Sequence, residues 1–167
     1  MAYMCAECTK VGCKLRDMTQ TMDCCPSKNE AVQEQAKALY QEEENYRIAN
    51  TAARVEAEGY GRLYRMEEIM LFAKQAGYQK IGLVFCMGLH SEAREVSKIL
   101  RHNGFDVVSV ICKNGAQPKS SIGLTDTDAL SGCANEVMCN PIGQASTDKI
   151  QSHRCPRTAS VRGHFLS

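Results

Sequence analysis

Ten cysteines, unevenly placed, constrain this chain more than any other feature. Five fall in the first 25 residues, as Cys5-x2-Cys8-x4-Cys13-x10-Cys24-Cys25, with Pro26 directly after. Cys86, Cys112, Cys133 and Cys139 follow much later, and Cys86 and Cys112 close apolar runs of strand character. In a secreted chain such density reads as a disulfide framework. The opening Met1-Ala2-Tyr3-Met4-Cys5 carries neither a basic n-region nor an apolar h-region, so a cytoplasmic protein with reduced thiols is expected. Reduced thiols spaced two and four apart point to metal or redox chemistry.

Charge and composition exclude several functions. A net charge of +1 gives no general attraction to nucleic acid or anionic membrane. Aromatics make up only 6% with no Trp, too few for base-stacking platforms, so no nucleic-acid partner is expected. No apolar run approaches the length of a membrane span. With 44% apolar and 23% charged residues, the chain has the composition of a globular domain.

Residues 1–26 contain Val11 and Leu15 as their only large aliphatics. A segment like that buries too little apolar area to fold alone and needs metal ligation or docking. Residues 27–77 read as a helical connector. Ser27 with Glu30 has capping-box spacing, and Val32, Ala36, Leu39 and Tyr40 supply an apolar stripe. The acidic run at Glu42-Glu43-Glu44 marks an exposed face or a break, and Ile48, Ala49, Ala52 and Val55 resume the helical period. A further helix fits Arg65 to Ala76, stopped by Gly77.

Residues 78–145 predict an α/β domain. Lys80–Cys86 is nearly all apolar, as a strand buried on both faces should be. Ser91–Asn103 reads as a helix, and Phe105–Cys112 as a second strand. Strand, helix and strand at this spacing predict a right-handed, Rossmann-like parallel βαβ unit. Pro141 is placed to open another helix. From residue 146 onward no clean apolar period is visible, and Arg154, Arg157 and Arg162 make the tail basic. An irregular tail is expected there. It would leave a sheet of two strands with an open edge, completed by a protein partner or by self-association.

Two thiol sites follow. A CxxC knuckle supplies two zinc ligands from one tight turn, so Cys5 and Cys8, with Cys13 and then Cys24 or Cys25, can complete a tetrahedron. The same four thiolates can hold an iron–sulfur cluster, and a Cys-Pro step closes such runs in bacterial ferredoxins. The second site lies at the carboxyl edge of the sheet, where open α/β sheets bind ligands. Cys86 and Cys112 end adjacent strands, and Cys139 precedes the helix opened by Pro141. Cys86, ahead of a helix N-terminus, is the candidate nucleophile of a thiol redox or sulfur-transfer enzyme, with Cys112 or Cys139 resolving. A third reading is a structural zinc module that binds a partner. His90 and Lys113 flank these thiols as a helix-cap and a strand-end residue. Gly82, Gly88 and Gly115 form no nucleotide-binding pattern, and no Ser/His/Asp arrangement is legible.

At these residues the chain resembles an uncharacterised prokaryotic family of small metal-binding proteins, domain of unknown function 1847. The likeness rests on the N-terminal cysteines ending in Cys-Pro, on GLVFCMGLHSEA at 82–93, on Val110-Ile111-Cys112-Lys113, and on Cys139-Asn140-Pro141-Ile142-Gly143-Gln144-Ala145. It covers residues 1–145 and implies metal binding without an established reaction. Members continue into another apolar strand ending in a Gly-Leu-Cys-Val-Gly-His-Asp-like motif. This chain has Cys155-Pro156-Arg157-Thr158 instead, the mark of a truncated or frameshifted end, so the resemblance gives no role to His153, Cys155 or His164.

Overall fold

The computed structural model describes residues 2–152 and 158–160. Two compact units divide the chain, Met1–Arg54 and Val55–Ser167.

The first unit begins with short turns. A 3-10 turn over Cys5–Glu7 is followed by a single helical turn, α1, at Gly12–Leu15. Val11 (φ 47°) and Arg16 (φ 59°) flank α1 in the left-handed region, which a β-branched residue rarely enters. Asp17 holds the next turn, its carboxylate accepting from the Thr19 amide (3.0 Å) and from Gln20 Nε2 (2.6 Å). Gly12 is buried where an added Cβ would lie 2.5 Å from the Asp17 carbonyl, so close approach requires glycine there. Asn29 Nδ2 donates to Tyr3 Oη (2.8 Å) and ties the start of the segment to the first long helix, α2, Glu30–Leu39.

The α2 cap differs from the sequence expectation. Asn29, not Ser27, is the N-cap, its Oδ1 accepting from the Val32 amide at 3.3 Å. Pro26 commits Ser27 to a 3-10 turn over Pro26–Lys28, which moves the helix start onward. A turn at Tyr40–Glu42 then separates α2 from α3, Glu43–Gly59, so the acidic run straddles the break, with Glu43 and Glu44 in the first turn of α3.

The second unit is α/β. Helix α4, Arg65–Gln75, starts where the Tyr64 amide donates to Glu67 Oε2 (2.8 Å) and ends at Gly77, whose φ of 74° suits glycine. Strand β1 is Lys80–Phe85, helix α5 is His90–His102 and strand β2 is Asp106–Ile111. Strands β1 and β2 pair in parallel from Lys80↔Asp106 to Phe85↔Ile111. The core fills one face of this sheet. Ala73 and Ala76 from the α4 region meet Ile81 of β1, Leu100 of α5, and Phe105 and Val107 around β2, all buried. Lys74 Nζ lies 5.8 Å from the Phe105 ring centroid, a cation–π contact at the margin.

The end of the chain departs from the irregular tail expected from residue 146. Helix α6 runs from Pro141 to Ser152, and a short strand β3, Thr158–Ser160, pairs in parallel with β1 from Lys80↔Thr158 to Gly82↔Ser160. The sheet order is β2-β1-β3, with β1 in the centre. Backbone pairing along a free strand edge needs no large apolar side chain, which is why Thr-Ala-Ser escaped the apolar pattern. His153, Cys155 and His164, and the apolar Val161, Phe165 and Leu166, lie outside the described residues.

Candidate functional site

The carboxyl edge of the sheet is built by a break in the β ladder. Cys112 N–H donates to the Phe85 carbonyl (2.9 Å), the bond a parallel ladder makes when Cys86 and Cys112 stand opposite each other. The matching bond, from the Met87 amide to the Cys112 carbonyl, is diverted. The Met87 amide donates to Cys112 Sγ (3.2 Å), while the Cys112 carbonyl accepts from the Asn140 amide (2.7 Å). Side chains alternate along a strand, and Ile81 and Val107 face the core. By that alternation the Cys86 and Cys112 positions both lie on the opposite face. Cys86 is exposed and Cys112 is buried.

Residues 112–140 fold back on themselves over this edge. Lys119 N donates to the Glu136 carbonyl (3.0 Å) and Met138 N to the Gln117 carbonyl (2.8 Å), flanking a bridge between Pro118 and Val137. The Lys119 ammonium pairs with Glu136 (2.8 Å), whose other oxygen accepts from the Ser131 amide (2.8 Å). These bonds, Lys119 first, hold the Glu136 carboxyl down to about 2. Lys113 Nζ donates to the Val137 carbonyl. An open cleft of about 770 Å³ results, lined by Met87, Lys113, Leu130, Glu136 and Val137 among others.

An asparagine clamp closes the base of this loop. Asn114 Nδ2 donates to the Ile111 carbonyl (2.9 Å), and Asn140 Nδ2 to the Asn114 carbonyl (3.1 Å). Asn140 Oδ1 caps α6 by accepting from the Gly143 amide (2.8 Å), with Pro141 as first helical residue. Gln144 Nε2 reaches both the Phe85 carbonyl (3.2 Å) and the Val110 carbonyl (3.1 Å), gripping the ends of β1 and β2 together. Sequence spacing does not reveal Asn114, Asn140 or Gln144 as a unit. The local signal available was the Asn-Pro step at 140–141, which marks an N-cap.

Cys139 is exposed beside Asn140, and Cys133 is exposed in the loop. His90 opens α5 with its ring centroid 5.8 Å from that of Phe85. In the first unit, Cys5 and Cys8 bracket one turn, the Cys8 amide donating to the Cys5 carbonyl (3.1 Å). Cys13 sits on α1. Cys24 and Cys25 are half-buried ahead of Pro26. The Cys25 thiol is shifted below the ordinary thiol range, first by the Ser27 side chain, then by the Ser27 amide.

Among the described residues, no three Cys, His, Asp or Glu side chains are already gathered into a metal-holding group. The N-terminal donors fit a thiophilic metal in kind: five free thiols on short turns, in a segment without a core. They would have to be drawn together by the ion, as is usual where ligation and folding are coupled.

Comparison with known proteins agrees on the family. The family described as a protein of unknown function, DUF1847, matches residues 24–153. This chain belongs to that family. The match takes in Cys24, Cys25 and the four later cysteines through Cys139, and begins after Cys5, Cys8 and Cys13. An uncharacterized protein of Methanocaldococcus jannaschii, MJ0455, is 42% identical over 106 residues, covering 64% of this chain and 53% of that one. The DUF1847 chain thus spans about half the length of this curated relative. No solved structure matches. Among the described residues, no helix is long and apolar enough to cross a membrane.

Proposed function

We propose that this DUF1847 protein binds a metal through its N-terminal thiolates, holding either a zinc ion or an iron–sulfur cluster. One observation carries the reading. In residues 2–26 both large aliphatics, Val11 and Leu15, are exposed, and the two buried residues are Gly12 and Thr21. No apolar core therefore offsets the chain entropy of ordering this segment, roughly 1–2 kcal/mol per residue. Thiolate–metal bonds are the stabilising interaction that its composition makes available. The closed turn at Cys5–Cys8 supports it, since such a turn presents two sulfurs on one side. So does the left-handed backbone on each side of Cys13, a conformation that persists only where surrounding interactions hold it.

The test is metal analysis and visible absorption of anaerobically purified protein. About one metal site per chain is expected. Broad visible absorption would identify iron–sulfur, and a colourless zinc-containing sample the mononuclear site. A double Cys5→Ser, Cys8→Ser variant should lose that metal and become protease-sensitive over residues 1–26, while the sheet survives. Unchanged metal content in the double variant would refute the assignment.

A further inference from the structure

We infer that Cys86 and Cys112 form a reversible dithiol–disulfide couple at the carboxyl edge of the sheet, with a low-molecular-weight disulfide as oxidant. Three features of the second unit, independent of the N-terminal thiols, bring the two residues together.

The first is register. The bond from Cys112 N–H to the Phe85 carbonyl (2.9 Å) carries the parallel register one step past its last pair, Phe85↔Ile111, and so sets Cys86 opposite Cys112 just beyond the ends of β1 and β2. Adjacent strands run about 4.8 Å apart, within the roughly 4.4–6.8 Å between Cα atoms that a disulfide spans. The second is face. Both positions fall on the side of the sheet away from Ile81 and Val107, so neither residue has to turn through the strand to meet the other. The third is freedom. The ladder ends here, because the Met87 amide bonds Cys112 Sγ (3.2 Å) instead of the Cys112 carbonyl. That bond fixes the sulfur beside the backbone of residues 86–87, and the opened ladder leaves that backbone able to adjust.

Accessibility assigns the roles. Cys86 is exposed and Cys112 is buried, so an external disulfide reaches Cys86 first. The Cys86 thiolate attacks one sulfur of the oxidant, the S–S bond breaks, and one thiol leaves. The Cys112 thiolate then attacks Cys86 Sγ in the mixed disulfide and expels the second thiol. The protein has lost two S–H bonds and gained one S–S bond. The two electrons and two protons end on the two released thiols. Cys112 is the resolving residue, and its burial protects it from reacting alone. Cys133 and Cys139 are both exposed, and neither occupies a strand position opposite Cys86.

The test uses the full chain, oxidised with glutathione disulfide under metal-free conditions, alkylated and digested with trypsin. Cleavage after Lys80, Arg94, Arg101 and Lys113 puts Cys86 in peptide 81–94 and Cys112 in peptide 102–113, each as its only cysteine. The expected product is these two peptides linked, lighter by two hydrogens than their sum and separated again by reductant. In Cys112→Ser the linked pair should vanish and Cys86 should stop at the glutathione adduct. In Cys86→Ser, which alters only an exposed position, Cys112 should remain unmodified. A persistent glutathione adduct on Cys86 in the unaltered protein, a link from Cys86 to any other cysteine, or no reaction at Cys86 would overturn the couple.

Discussion

The Met87 amide donates to Cys112 Sγ at 3.2 Å, taking the place of the backbone bond that would have continued the parallel ladder. The Cys112 carbonyl, released from that role, accepts from Asn140 N–H at 2.7 Å and anchors the returning end of the 112–140 loop. One substitution of a sulfur for a carbonyl therefore does two things. It ends the sheet at a defined residue, and it starts the loop that forms the cleft. Both exchanged groups, the Met87 amide and the Cys112 carbonyl, keep a hydrogen-bond partner in the new arrangement.

The loop base should fail first at Gly143. A Cβ built there would lie 2.6 Å from Asn114 Oδ1 and also collide with the Asn140 side-chain amide. Gly143→Ala should therefore push the two asparagines apart and cost about 1–3 kcal/mol, as overpacking does. Asn140→Ala, which removes only the α6 cap and its bridge to Asn114, should cost about 0.5–2 kcal/mol. Urea denaturation of both variants checks the order. Equal stability of Gly143→Ala and the unaltered chain would contradict the clamp.

Much of the second unit was legible in the sequence. The strands at 80–85 and 106–111 are apolar runs, and the helix between them carries Glu92 in its first turn and Arg101 and His102 in its last. Those signals are local, so a linear reading finds them. The Asn114–Asn140 clamp joins residues 26 apart with no periodic pattern between them. Strand β3 is illegible for a different reason. Thr158-Ala159-Ser160 has no large side chain and is a strand only because β1 offers a free edge. Pro141 marks the start of helix α6 in the sequence, but Ser146, Thr147 and Asp148 are weak helix formers and hide its continuation to Ser152.

The α4–α5–sheet core should depend on Leu100 more than on its neighbour. Leu100 is 2% exposed, whereas Ile99, one residue earlier on the same helix, is 43% exposed. Leu100→Ala should cost about 2–5 kcal/mol through lost burial and a cavity against Ile81 and Val107. Ile99→Ala should change stability by no more than about 0.5 kcal/mol. Thermal denaturation of the pair tests whether α5 presents the face described. Similar losses from both would rotate the helix.

Thiol labelling of the reduced, metal-free protein should follow burial at the sheet edge. Cys86, Cys133 and Cys139 are exposed and Cys112 is buried, so timed alkylation with peptide mapping should find Cys112 last of these four. Mild denaturant should raise only the Cys112 rate markedly. Early labelling of Cys112 would mean that the loop opens far more readily than its paired backbone bonds suggest.

The Glu136 carboxylate should make the loop sensitive to acid. Its oxygens accept from the Lys119 ammonium and from the Ser131 amide, each at 2.8 Å, and its folded value is about 2 against an ordinary 4.5. A carboxyl depressed on folding adds stability that is fully present above its unfolded value and disappears as pH falls through the folded one. The window is therefore about pH 4.5 down to 2, with loop stability falling as protons are added. Because the pair is near the surface, added salt should weaken it and raise the titration midpoint. Carboxyl-detected NMR titration of Glu136 should show the low midpoint, and the Ser131 amide should lose exchange protection over the same range. Glu136→Gln should lower that protection at neutral pH and remove its acid dependence. A Glu136 midpoint near 4.5 would show that the Lys119 pairing does not hold in solution.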